Sequence, residues 1–120
     1  MKNELLNRTK QFALDCWRLC SKIPKSREFN VYVYQLLKSS SSVGANYRAS
    51  QRAKSSADFI NKLKIVEEEA DESLFWLEVF LEIAPKHKVE IERLIKEGKE
   101  LLAIMVSSIN TAKRNQSKKS

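Results

Sequence analysis

An all-α protein, an antiparallel up-down-up-down four-helix bundle, is the fold class this sequence predicts, and three observations predict it. Only two Gly and two Pro interrupt 120 residues, of which 42% are apolar and 31% charged. That balance suits packed helices rather than a disordered chain. Four segments repeat apolar or small residues at alternating steps of four and three, the seam of a helix packed in coiled-coil fashion. Short connections separate the segments, which makes consecutive helices antiparallel. One domain accounts for a chain of this length. The bundle occupies residues 1–112, with helices over about 3–22, 27–53, 56–84 and 86–112, followed by a basic C-terminal tail over 113–120.

Leu5, Thr9, Phe12, Cys16, Leu19 and Ile23 form the first seam. Pro24 ends that segment by biasing Ile23 out of the helical region, and Ser26 is placed to cap the second. There Phe29-Asn30-Val31-Tyr32-Val33-Tyr34 favours a strand, and residues 39–42, all serine, have the composition of a linker. Periodicity overrides both. Phe29, Val33, Leu36, Ser40, Val43 and Tyr47 keep phase through the serine run, which a flexible linker has no reason to do. The serines, with Gly44 and Ala45, read as small side chains that let neighbouring helices approach. Helix propensity is weak there, so packing must compensate.

Ser55 caps the third segment with Asp58 as its box partner. Phe59, Leu63, Val66, Ala70, Ser73, Leu77, Phe80 and Ala84 make its seam, and Pro85 fits the first turn of the fourth segment. Ile91, Ile95, Gly98, Leu102, Met105, Ile109 and Ala112 complete the set. Antiparallel pairing matches Val43 with Val66, Leu36 with Ser73 and Phe29 with Phe80, then Phe80 with Ile91, Ser73 with Gly98 and Val66 with Met105. The first segment meets the second with Cys16 near Val33, Phe12 near Leu36 and Thr9 near Ser40. Thr9, Ser40, Ala70, Ser73 and Gly98 fall at mid-height, where the closest approach is expected.

Net charge is +7, unevenly spread. Residues 55–85 hold eight Asp or Glu against two Lys, and the segments on either side are basic. Such a chain favours acidic partners, and copies of it can attract one another through opposite faces. No long apolar run and no signal-like start occur, so a cytoplasmic protein without a membrane segment is expected. Cys16 and Cys20, one turn apart, are poorly aimed for a disulfide.

Ser40-Ser41-Ser42-Val43-Gly44-Ala45-Asn46-Tyr47-Arg48-Ala49, Ala57-Asp58-Phe59-Ile60-Asn61-Lys62-Leu63 and Glu67-Glu68-Glu69-Ala70-Asp71-Glu72-Ser73-Leu74-Phe75-Trp76-Leu77-Glu78 resemble the signature of a family of bacterial four-helix-bundle proteins. That family was first noticed as the protein encoded in intervening sequences of 23S ribosomal RNA genes. The resemblance covers nearly the whole chain. It implies an up-and-down bundle and a ring-shaped homo-oligomer, most often a pentamer. A similar protein is the accessory, nucleic-acid-binding partner of a reverse transcriptase in diversity-generating retroelements. No catalytic residues carry over, because the family has none established.

The residues themselves point away from an enzyme. A di-iron bundle needs Glu-x-x-His pairs, and the one histidine, His87, follows Ala84 at that spacing. Zinc on Cys16, Cys20 and His87 lacks a fourth ligand, so neither metal nor cofactor is expected. Glu67, Glu68, Glu69, Asp71 and Glu72 have no nucleophile, phosphate loop or histidine base beside them. They read as a solvated face paired with Arg48, Arg52 and Lys54 of the same or a neighbouring subunit. Trp17, Tyr32, Tyr34, Phe75, Trp76, Val79 and Ile83 are left over once the seams are filled, and mark an oligomer interface. Basic residues, among them Lys2, Lys10 and Lys119, are numerous. Arg18, Lys22, Arg48, Arg52, Lys113 and Arg114 are the candidates for phosphate contact with RNA or DNA. The alternative is a protein-interaction scaffold with no nucleic-acid role.

Overall fold

The computed structural model describes residues 2–119, with side chains from 4 to 118. The side chains of Lys2 and Lys119 lie outside the described residues. The described residues form four helices: α1 (Lys2–Ser21), α2 (Arg27–Ser50), α3 (Ser56–Ile83) and α4 (Lys88–Lys119), with a 3-10 turn at Pro85–His87 before α4. Among the described residues there is no strand. The helices pack as a bundle of about 53 × 21 × 21 Å, α1 and α3 each lying against both α2 and α4.

Val31, Tyr32, Val33 and Tyr34 are helical, and so is the serine run. The backbone follows the burial pattern here, not the local propensity. Ser26 Oγ accepts from the Phe29 N–H at 3.0 Å, and Ser55 Oγ from the Asp58 N–H at 3.0 Å. Asp58 answers one residue earlier than a capping box requires, accepting from the Lys54 N–H at 3.1 Å.

Two helix ends differ from expectation. The second helix stops at Ser50 rather than near 53, and Arg52 and Ala53 donate to carbonyls three residues back. Ser50 Oγ–H donates to the Tyr47 carbonyl at 2.6 Å, in local competition with the helical ladder. The fourth helix does not end at 112 but runs on through the basic residues. With no Gly or Pro to stop it, and with cations at the negative end of its dipole, the tail extends the helix.

The seams are where the core is. Phe12, Cys16, Leu19, Leu36, Val43, Leu63, Val66, Ala70, Leu77, Phe80, Ile91 and Met105 are all buried together. At mid-height Ser73 and Ser39 share a 2.8 Å hydrogen bond between α3 and α2. No buried polar side-chain atom is left unpartnered among the described residues.

The axial register of α1 departs from expectation. A Cβ on Gly44 would meet the Thr9 carbonyl oxygen at 3.3 Å and Lys10 Cα at 3.6 Å, and Cys16 lies beside Ser40. The first helix is therefore shifted by about one turn or more from the pairing of Thr9 with Ser40 and Cys16 with Val33. A Cβ on Gly98 would meet Leu74 and Phe12, and Leu74, next in the chain to Ser73, keeps α3 and α4 in the expected axial register.

Candidate nucleic-acid interface

The placement of the cations follows from the ion pairs that hold α1 to α4. Arg8 grips Glu97 through two nitrogens, at 2.6 and 2.9 Å, and reaches Glu100 at 3.0 Å. The Glu97 hydrogen bond, with help from Glu100, raises the Arg8 pKa further and holds the guanidinium charged. Nearer the other end Asp15 lies 3.5 Å from Arg93, and Lys22 donates to Glu90 at 2.8 Å. Residue numbers rise along α1 as they fall along α4.

These pairs divide the six candidate phosphate contacts. Arg18 is bound to Asp15 at 3.0 Å and Lys22 to Glu90, both toward the end of α1. Arg48, Arg52, Lys113 and Arg114 lie toward the opposite end, where the α2–α3 connection sits beside the last turns of α4. The structure therefore brings four of the six to one end and separates the other two. Arg48, Arg52 and Lys113 make no ion pair among the described residues, and Arg114 donates only to Thr111 Oγ1 at 3.3 Å.

At that end a groove of about 640 Å³ runs between α1 and α2, lined by Leu6, Asn7, Lys10, Ala13, Ser41, Gly44, Ala45, Arg48, Gln51 and Arg52. Gly44 lets the two backbones close beneath it. Three cations and two amides rim the groove, and no carboxylate lines it. Lys10 also makes no ion pair among the described residues. It belongs to this site though it was not among the six candidates. Its signal was spacing: Leu6, Lys10 and Ala13 step by four and three along one face of α1.

The acidic run of α3 does not pair with this end. Arg48 and Arg52 border Asp58 and Lys62, and none of Glu67, Glu68, Glu69, Asp71 and Glu72 forms an ion pair among the described residues. The reason is axial: residues 67–72 sit several turns nearer mid-height. The Glu72 carboxylate instead accepts from Trp76 Nε1 at 3.2 Å.

The seven residues proposed for an interface also fall into two groups. The Trp76 ring lies 5.7 Å from that of Tyr32 and meets Phe75 edge-on at 4.9 Å. Val79 and Ile83 continue the Trp76 stripe at steps of three and four, so five of the seven form one flank along α2 and α3. Trp17 and Tyr34, 59% and 62% exposed, stand apart from that flank.

Cys16 and Cys20 are free thiols. Burial raises both pKa values, that of Cys20 to about 12, so neither presents a thiolate near neutrality. No group of three His, Cys, Asp or Glu side chains among the described residues is arranged to hold a metal ion. No described helix is long and apolar enough to cross a membrane.

Residues 1–107 match the family described as 23S rRNA-intervening sequence protein. Among solved structures, one with 32% identity and a TM-score of 0.83 spans 92% of this chain and 99% of its own. It is the crystal structure of a protein of unknown function from the S23 ribosomal protein family of Bacteroides thetaiotaomicron. No curated protein matches the chain significantly.

Proposed function

We propose a function from a plain premise: the chain belongs to the 23S rRNA-intervening sequence protein family. It is a non-enzymatic, cytoplasmic, up-down-up-down four-helix bundle that assembles with copies of itself and binds RNA or DNA, or an enzyme that acts on them. The observation that carries the binding reading is the set of cations toward one end, Lys10, Arg48, Arg52 and Lys113, that form no ion pair among the described residues. The fold makes no use of these charges, whereas it ties down Arg8, Arg18 and Lys22. Phosphates are the general partner for such a set, and contact of this kind is sequence-independent. Opposed numbering along the ion pairs of α1 and α4 supports the up-down topology. Burial of both thiols argues against a cysteine nucleophile.

Self-association is supported by the flank of Tyr32, Phe75, Trp76, Val79 and Ile83, which the bundle leaves partly open to water. A closed ring such as a pentamer joins two different surfaces of each copy, so this flank has to meet another face of the next subunit. The same flank favours the scaffold reading, in which a client protein, a reverse transcriptase for example, docks on the assembly.

Filter binding of RNA and DNA across a salt series, with the assembly's mass measured by sedimentation, tests the proposal. The expected result is an oligomer whose affinity falls steeply with salt. Affinity that is absent at micromolar protein or flat with salt overturns the nucleic-acid reading and leaves the scaffold.

A further inference from the structure

Trp17 and Tyr34 extend the basic groove, and the fold gives neither ring a task. On α1, Leu6, Lys10 and Ala13 line the groove, and Trp17 follows Ala13 by four residues on the same stripe. On α2, Ser41, Arg48 and Arg52 line it. Lys38 and Tyr34 continue that stripe by one turn and two. Because Gly44 packs on Thr9 and Lys10 while Cys16 lies beside Ser40, Trp17 and Tyr34 fall on neighbouring turns of the two helices. From Tyr34 to Arg48 the stripe rises about 21 Å. Along it stand two rings that are more than half exposed, and the cations Lys10, Lys38, Arg48 and Arg52, none of them ion-paired among the described residues.

Exposed aromatic rings beside a row of free cations are suited to unpaired bases. Each ring offers a stacking surface to a base that is not already in a duplex, while the cations follow the backbone. A duplex keeps its bases stacked on one another and can use only the cations. We propose that this α1/α2 face is a platform for single-stranded nucleic acid. The phosphates lie along Lys10, Arg48 and Arg52, and bases stack on Trp17 and Tyr34. The proposal rests on the nucleic-acid reading above and adds to it the class of strand.

The test uses the full chain and fluorescence anisotropy of labelled oligo(U), oligo(dT) and a duplex, each of about 16 nucleotides. Both rings are exposed, so Trp17→Leu and Tyr34→Leu leave the core untouched. Each is expected to weaken both single strands about tenfold while changing duplex affinity by less than about twofold. Trp17→Phe should retain most of the binding. Comparable affinities for oligo(U) and oligo(dT) mark a shared backbone-and-stacking mode, and a gap between them shows which sugar the face prefers. Equal losses on single strand and duplex, or no loss on either, overturn the proposal. So does a change in assembly mass on replacing the rings, which assigns them to a contact between copies. Failure of the wild-type chain to bind any of the three probes removes the parent reading instead.

Discussion

Enlarging Gly98 tests how closely α4 is fitted to its neighbours. A Cβ at this position lies 2.8 Å from Leu74 Cδ2, 3.4 Å from Leu74 Cγ and 3.5 Å from Phe12 Cε1. Gly98→Ala gains about 1 kcal/mol of helix propensity and meets only the far end of a flexible side chain, so its net effect should lie within about 1 kcal/mol of zero. Gly98→Leu gains a similar propensity but drives three further carbons between Leu74 and Phe12, at an overpacking cost of about 1–3 kcal/mol or more. The net loss should be about 1–2 kcal/mol, and thermal unfolding should drop by roughly 2–8 °C per kcal/mol. Trimming the neighbour closes a cycle. Combined with Leu74→Ala, Gly98→Leu should be tolerated far better than either change alone, with a coupling of about 1 kcal/mol or more. Calorimetry or urea unfolding of the four chains measures it. An unchanged melting temperature for Gly98→Leu, or strictly additive effects, would refute the packing assigned to this layer.

Gly44→Val should destabilise by about 1–3 kcal/mol, because the atom it meets is the Thr9 carbonyl oxygen, backbone that cannot swing aside; urea unfolding checks it. Arg8→Ala should cost about 1 kcal/mol, since its bidentate pair with Glu97 is only partly shielded from water, and the loss should shrink as salt is raised. Burial lifts Cys16 and Cys20 above the usual thiol value of 9.0. Above that pH the unfolded chain releases protons that the folded chain keeps. The stability the neutral thiols confer is whole below pH 9 and is lost as pH rises, for Cys20 through about 12, at up to about 1.4 kcal/mol per pH unit for each thiol. Denaturant titration of the wild type and of the Cys16→Ala, Cys20→Ala chain should therefore diverge in alkaline buffer, with the wild type falling faster. Phe75→Lys with Val79→Asp should reduce the sedimenting mass without lowering helix content, if the α2/α3 flank holds copies together.

Phase along each helix was legible in the sequence, and position along the axis much less so. Val43, Val66, Ala70, Leu77 and Ile91 are buried where steps of four and three put them, because one misphased residue would expose a whole stripe. Sliding one helix past its neighbour by a turn keeps that phase intact. Periodicity alone therefore could not show that Gly44 rather than Ser40 meets Thr9. Ile60, Leu74, Leu94 and Leu101 are buried yet absent from the seams, since a helix packed against two neighbours buries a face wider than a coiled-coil stripe. The candidate site suffered from the same gap. Lys22 and Arg48 look alike as charges in a sequence. Axial placement gives Lys22 a carboxylate partner on α4, Glu90 at 2.8 Å, and leaves Arg48 facing a groove.

The central claim is that the free cations of one end, and not the paired cations of the other, meet phosphate. The most direct measurement is the slope of log affinity against log salt for three chains: the wild type, one with Arg48→Ala and Arg52→Ala, and one with Arg18→Ala and Lys22→Ala. Removing Arg48 and Arg52 should weaken binding and flatten the slope by about 0.7–0.9 for each phosphate that is no longer neutralised. Removing Arg18 and Lys22 should leave the slope near that of the wild type. Equal slopes for the first two chains, or a larger change in the third, would contradict the account.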